Sequence, residues 1–119
     1  MAIRVLIVDD DPAFRALARR VMVHGGLDVV GEAGTAGDGA DAANALRPDA
    51  VLVDVGLPDR DGVSLAGDLV ALSWHPRIVL TSTDPDATSP DAARRLGASG
   101  FVPKHELPGA GLDLLLHGG

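Results

Sequence analysis

Four aspartates and one lysine carry the chemistry open to this sequence. Residues 3–8 form an apolar run that ends in Asp9, Asp10 and Asp11, and residues 50–53 form another that ends in Asp54. Apolar runs of this length, rich in β-branched residues, read as strands buried on both faces, so the acids that follow them gather along one edge of a parallel sheet. Carboxylates gathered there repel one another unless something positive sits between them. A divalent cation and an ammonium are the two candidates, and the chain itself supplies the second: Lys104 is its single lysine, against nine arginines. Aspartate oxygens with water and a backbone carbonyl also suit Mg²⁺, which takes octahedral oxygen ligands, and Asp9, Asp10 and Asp54 would form that cluster. A carboxylate can in addition act as a nucleophile and accept a phosphoryl group as an acyl phosphate. The attack needs charge neutralisation on the transferring oxygens, which a metal gives from one side and Lys104 from the other, with the Thr81 hydroxyl as a third donor.

The elements that must position these groups alternate. Apolar residues Phe14, Leu17, Ala18, Val21 and Met22 recur at helical spacing over 12–24, with Arg15, Arg19 and Arg20 on the other side. Asp11 before Pro12 marks the start of this helix, and Gly25-Gly26 its end. A second strand is expected over 27–33, an alanine-rich helix over 37–46 and a third strand over 49–54. A helix over 63–72 follows the turn-rich stretch 56–62, then a strand over 77–81, a short helix over 91–96, a short strand over 100–102 and a closing helix over 112–117. Five β/α units imply a parallel sheet with right-handed crossovers and helices on both faces. At this length the doubly wound strand order 2-1-3-4-5 is the economical one. It makes the first and third strands neighbours at the switch point, where open α/β sheets bind ligands. Thr81 ends the fourth strand and Lys104 follows the fifth, so both fall in the same crevice.

The bulk numbers narrow the classes. A chain of 119 residues suits one domain with one core. Its formal charge of −7 disfavours direct nucleic-acid binding, which calls for a basic stripe. The chain has no cysteine, so disulfides and thiolate metal sites contribute nothing. Asp9 to Asp11 interrupt the first apolar run too early for a signal peptide, and no stretch approaches the roughly 20 apolar residues of a membrane span. The expectation is a soluble cytoplasmic protein with no membrane partner.

The segments LIVDDDP, LVDVGLPDRDG, IVLTS and GASGFVPK resemble, in order and over about residues 3–117, the motifs of the response-regulator receiver domain of two-component signalling. The resemblance implies a flavodoxin-like (CheY-like) fold and a single receiver domain over 1–119. By it, Asp54 matches the phosphoacceptor, Asp9 and Asp10 the acidic pair that holds Mg²⁺, and the carbonyl of Gly56 the backbone metal ligand. Thr81 matches the hydroxyl residue, Lys104 the lysine on the phosphoryl group and Phe101 the switch aromatic. A sensor histidine kinase or phosphotransfer protein would donate the phosphoryl group, and the face made by the fourth helix, fifth strand and fifth helix would be remodelled for a downstream protein. Catalysis would be limited to phosphorylation and dephosphorylation of the chain itself. A homodimer is compatible with the sequence.

The pattern departs from the family's commonest form at three places. Pro103 precedes Lys104, while His105 stands where many relatives carry proline, so no cis peptide is expected there. The segment after Thr81 is short and polar, which bears on how the output face pairs. Gly56 and Thr83 occupy positions that, by the resemblance, tune phosphoryl lifetime, and the bare Gly56 implies a short-lived signal. Elsewhere Asp11, Asp59 and Asp61 read as helix caps or turn formers. His24, His75, His105 and His117 lack metal-ligand spacing and read as surface or loop residues. Trp74 reads as structural, and Leu112, Leu114, Leu115 and Leu116 as a buried end rather than a partner surface.

Three alternatives stand beside a stand-alone receiver. One is the receiver portion of a longer transcriptional regulator with a helix-turn-helix output. Another is a small-molecule phosphohydrolase with Asp54 as nucleophile, but those enzymes usually place a second acid where this chain has Gly56. A flavodoxin-like cofactor binder is disfavoured, since Asp9 to Asp11 replace the glycine-rich phosphate loop after the first strand.

Overall fold

The computed structural model describes residues 2–118. Strands β1 (Arg4–Val8), β2 (Asp28–Ala33), β3 (Ala50–Asp54), β4 (Arg77–Ser82) and β5 (Gly100–Pro103) pair in parallel in the order β2-β1-β3-β4-β5. Helices α1 (Pro12–His24), α2 (Ala36–Leu46), α3 (Gly62–Val70), α4 (Pro90–Leu96) and α5 (Leu112–His117) connect and follow them. The doubly wound fold expected from the alternation of elements is the one observed.

Successive strand residues point to opposite faces, and each face is closed by its own helices. Leu6, Val8, Val51, Val53, Ile78 and Leu80 pack with Leu65, Ala66 and Leu69 of α3 and with Ala36, Ala43 and Ala93 of α2 and α4. Val5, Ile7, Leu52, Val79 and Val102 pack on the other side with Phe14, Ala18 and Met22 of α1 and Leu115 of α5. Every residue of β3 is buried, which is why this strand carries no alternation in its sequence.

Helix starts follow local capping. Asp11, Thr35, Asp61 and Ser89 each accept a backbone N–H from the first turn of α1, α2, α3 and α4 respectively. Asp11 and Asp61 therefore act as the caps their positions suggest. Trp74 is structural: its indole Nε1 donates to the Pro48 carbonyl at 3.0 Å, and the Arg47 guanidinium lies 4.6 Å from its ring centre.

Two boundaries differ in substance from the sequence reading. Helix α3 stops at Val70, two residues early, because residues 71–74 turn towards the Trp74 contact. A 3₁₀ turn over Lys104–Glu106 and a wide helical turn over Leu107–Gly111 lead directly into α5, across a stretch to which the sequence reading assigned no element. Pro108, Gly109 and Gly111 argue against helix locally, but the buried Leu107 anchors the segment. Gly111 packs closely there: a Cβ would lie 3.0 Å from Leu107 Cδ1 and 3.1 Å from Val102 Cγ2.

Candidate functional site

Strand register assembles the site at the C-terminal edge of the sheet. Val8 pairs with Val53, so Asp9 and Asp54 emerge side by side from β1 and β3. Asp54 pairs with Thr81 of β4, and Ser82 pairs with Pro103 of β5, which brings Lys104 to the same edge. Carboxylate oxygens of Asp9, Asp10 and Asp54 come within 4.8 Å of one another. Asp9 and Asp54 are buried and Asp10 is exposed.

Lys104 Nζ lies 2.8 Å from Asp9 Oδ2 and 3.7 Å from Asp54 Oδ2. The nearer contact is an ion pair, which makes the Lys104 ammonium the partner of the buried Asp9 Oδ2. The other oxygen, Oδ1, accepts from Asp11 N at 2.9 Å. Asp54 Oδ1 accepts from Gly56 N at 3.2 Å. Burial pushes the Asp54 carboxyl above the ordinary aspartate range, and the neighbouring charges of Asp9 and Asp10 add to the push. The Gly56 N–H and the Lys104 ammonium offset it only in part. The Thr81 hydroxyl, fully buried, has no hydrogen-bond partner among the described residues.

The loop after Asp54 is held from two sides. A Cβ at Gly62 would fall 2.0 Å from the Asp54 carbonyl oxygen, so α3 starts against the backbone of Asp54 as only glycine permits. Asp59, exposed on that loop, accepts from Ala36 N at 2.8 Å and Gly37 N at 3.0 Å, which ties the loop to the start of α2 and holds its carboxyl below the ordinary range. Its turn-forming role is thus joined to a long-range one.

Phe101 is buried on β5, paired with Leu80 and packed in the core beneath α3 and α4. It borders a cavity of about 700 Å³ between α4, β5 and α5, which Pro85, Pro90, Arg94 and Leu114 also line. Sequence reasoning placed Asp9, Asp10, Asp54, Thr81 and Lys104 together, and the structure does the same. It overlooked Arg15, whose Nη1 donates to the Asp9 carbonyl at 2.6 Å, and Phe14, whose ring centre lies 4.3 Å from Lys104 Nζ. Their position in the first turn of a helix that directly follows the acids was the available signal. Their apolar and basic spacing fitted a plain amphipathic helix equally well.

A parallel five-stranded sheet with buried acids, a hydroxyl and an ammonium at its switch point defines a doubly wound α/β domain with a polar site at the carboxyl ends of its strands. The chain belongs to the response regulator receiver domain family, whose model matches residues 5–114, and is thereby a receiver domain of a two-component response regulator. It is 34% identical over 103 residues to the virulence-factor transcription regulator BvgA of Bordetella pertussis, covering 87% of this chain and 49% of that protein. It is 39% identical over 113 residues to a protein-glutamate methylesterase/protein-glutamine glutaminase of Anaeromyxobacter dehalogenans, covering 94% of this chain and 32% of the relative. The signal receiver domain of the response regulator NarL from Mycobacterium tuberculosis superposes with a TM-score of 0.81 at 30% identity, with 98% of both chains covered. The chain spans about half the length of BvgA and a third of the methylesterase. Among the described residues no helix is long and apolar enough to cross a membrane.

Proposed function

We propose that this receiver takes a phosphoryl group onto Asp54 from a histidine kinase or phosphotransfer protein in the cytoplasm. The observation that carries the reading is the buried Asp54 carboxylate gathered with Asp9, Asp10 and Lys104, beside a buried Thr81 hydroxyl that has no hydrogen-bond partner among the described residues. An Asp54 oxygen attacks phosphorus, an acyl phosphate bond forms, and the bond from phosphorus to the donor nitrogen breaks with its electron pair leaving on that nitrogen. Lys104 offsets the charge on the phosphoryl oxygens, and Thr81 donates the hydrogen bond it lacks in the unmodified protein.

The all-oxygen donor set of Asp9, Asp10 and Asp54, whose carboxylate oxygens lie within 4.8 Å of one another, fits a hard cation. Asp9, Asp10, Asp54 and the Gly56 carbonyl would hold Mg²⁺. Bound there, the ion supplies charge neutralisation to the phosphoryl oxygens.

Phosphorylation adds about two negative charges beside Thr81, enough to bias a two-state loop. The cavity flanking Phe101 supports rearrangement of the α4–β5–α5 face, which would then meet a downstream protein. Reaction stays confined to the chain's own aspartate, since Gly56 offers no acid two residues after the nucleophile. The residues 1–119 act as one receiver unit, free-standing or as part of a longer regulator. The greater length of the matched relatives, one of them a transcription regulator, favours the second arrangement, with a DNA-binding output beyond the receiver.

Intact mass after incubation with Mg²⁺ and acetyl phosphate tests the reading. One added phosphoryl group, absent from Asp54→Asn and from protein treated with EDTA, is expected. A folded wild type that takes none, or an Asp54→Asn variant that still takes one, contradicts it.

A further inference from the structure

We propose that Phe14 is a positioning residue, its ring being the platform that holds the Lys104 ammonium over the acid cluster. The functional part of this inference rests on Asp54 as the phosphoacceptor. A lysine is a point charge on a flexible stem, so its ammonium needs lateral support to stay at one place. Here that place is defined by Asp9 Oδ2 at 2.8 Å, Asp54 Oδ2 at 3.7 Å and the centre of the Phe14 ring at 4.3 Å.

The negative face of an aromatic ring attracts a cation within about 6 Å of its centre. It does so without formal charge. A further carboxylate in its place would add to the repulsion that Asp54 already meets from Asp9 and Asp10, and would compete for a cation bound by those acids. The ring therefore steadies the ammonium without adding a formal charge beside the phosphoacceptor.

The platform is itself held rigidly. Phe14 is only 7% exposed and packs in the core between β1 and α1. Its two chain neighbours are tied to the acid loop, Ala13 N donating to Asp11 Oδ1 at 3.0 Å and Arg15 Nη1 to the Asp9 carbonyl at 2.6 Å. The segment from Asp9 to Arg15 thus fixes a metal-ligand candidate and the lysine platform as one unit. An ammonium held at a set point is what stabilises charge that develops on transferring oxygens.

The test replaces Phe14 by 4-fluoro-, 3,5-difluoro- and 3,4,5-trifluorophenylalanine, which drain the ring face of negative charge while changing its shape little. Since Lys104 is the only lysine, selective lysine labelling gives a single side-chain NMR signal. In the wild type that signal is expected upfield of a solvated lysine through the ring current, and at the solvated position in Phe14→Leu. Across the fluorinated series the rate of phosphorylation by acetyl phosphate is expected to fall stepwise, to about three- to tenfold below wild type, with the unfolding midpoint little changed. A rate that stays flat across the series overturns the positioning role. A lysine signal at its solvated position in the wild type overturns the contact itself. If the wild type takes no phosphoryl group, the phosphoacceptor reading fails, and the lysine signal still decides whether the platform exists.

Discussion

The two ends of the sheet are opposites in how their polar groups are satisfied. At the N-terminal edge Asp49 accepts from Arg4 N, Arg4 Nη1 donates to the Arg47 carbonyl and Trp74 Nε1 to the Pro48 carbonyl. Arg77 Nη1 completes that edge by donating to the carbonyls of Leu115 and Leu116, at 3.1 and 2.7 Å, in the last turn of α5. At the C-terminal edge the carboxylates of Asp9, Asp10 and Asp54 crowd together, Lys104 Nζ contacts two of them at 2.8 and 3.7 Å, and among the described residues the buried Thr81 Oγ1 has no hydrogen-bond partner. A buried polar group without a partner costs free energy, so the first edge stabilises the fold and the second draws on that stability. The difference marks where a ligand is to be received.

The backbone that joins the acid edge to α3 tolerates the least change. Gly62→Ala drives a Cβ into the Asp54 carbonyl, and a loss of about 3 kcal/mol or more is expected by chemical denaturation, a cost typical of severe overpacking. A variant as stable as the wild type would show that the loop yields there. Next in size is Lys104→Met, which leaves the acid cluster without its cation. Phosphorylation by acetyl phosphate is expected to slow by about a hundredfold, as on loss of one oxyanion donor, whereas Arg77→Ala leaves that rate unchanged. Arg77→Ala acts on stability alone: two carbonyls lose a charged donor, and a loss of about 2 kcal/mol is expected in denaturant titration. A slowed phosphorylation rate in Arg77→Ala would blur the division between the edges.

Much of the acid edge was legible because it depends on sequence order alone. Apolar runs give strands, the doubly wound order sets Asp9 beside Asp54, and register then aligns Thr81 with Asp54. Lys104 could be placed because a lone lysine follows the last strand. The satisfied edge was harder to read, since its hydrogen bonds run between residues far apart in the chain, such as Arg4 with Asp49 and Arg77 with Leu115. No local pattern records them. Arg47 in a left-handed conformation, with φ of 48°, is similar: the contact with Trp74 and the bond to Arg4 hold it there, and arginine as a residue type gives no hint of it. Phe14 and Arg15 escaped notice for a different reason, because one helical stripe accommodated both a packing role and a role at the site.

Desolvation and like-charge repulsion at the acid edge act on Asp54, with a direct thermodynamic consequence. The Asp54 carboxyl is raised above its ordinary value of 3.8, so the folded state binds its proton more tightly than the unfolded state does. Stability from this group is greatest below 3.8, falls as pH rises from there through the raised folded value, and stays reduced at neutral pH. The asparagine side chain of Asp54→Asn carries no charge and still offers an acceptor oxygen to Gly56 N. The decisive measurement is the unfolding midpoint of wild type and Asp54→Asn in EDTA, followed from about pH 4 to about pH 8. Asp54→Asn is expected to be the more stable at neutral pH, with the gap closing as the pH falls towards about 4. A variant less stable than the wild type at neutral pH, or a gap that widens on acidification, would contradict the account.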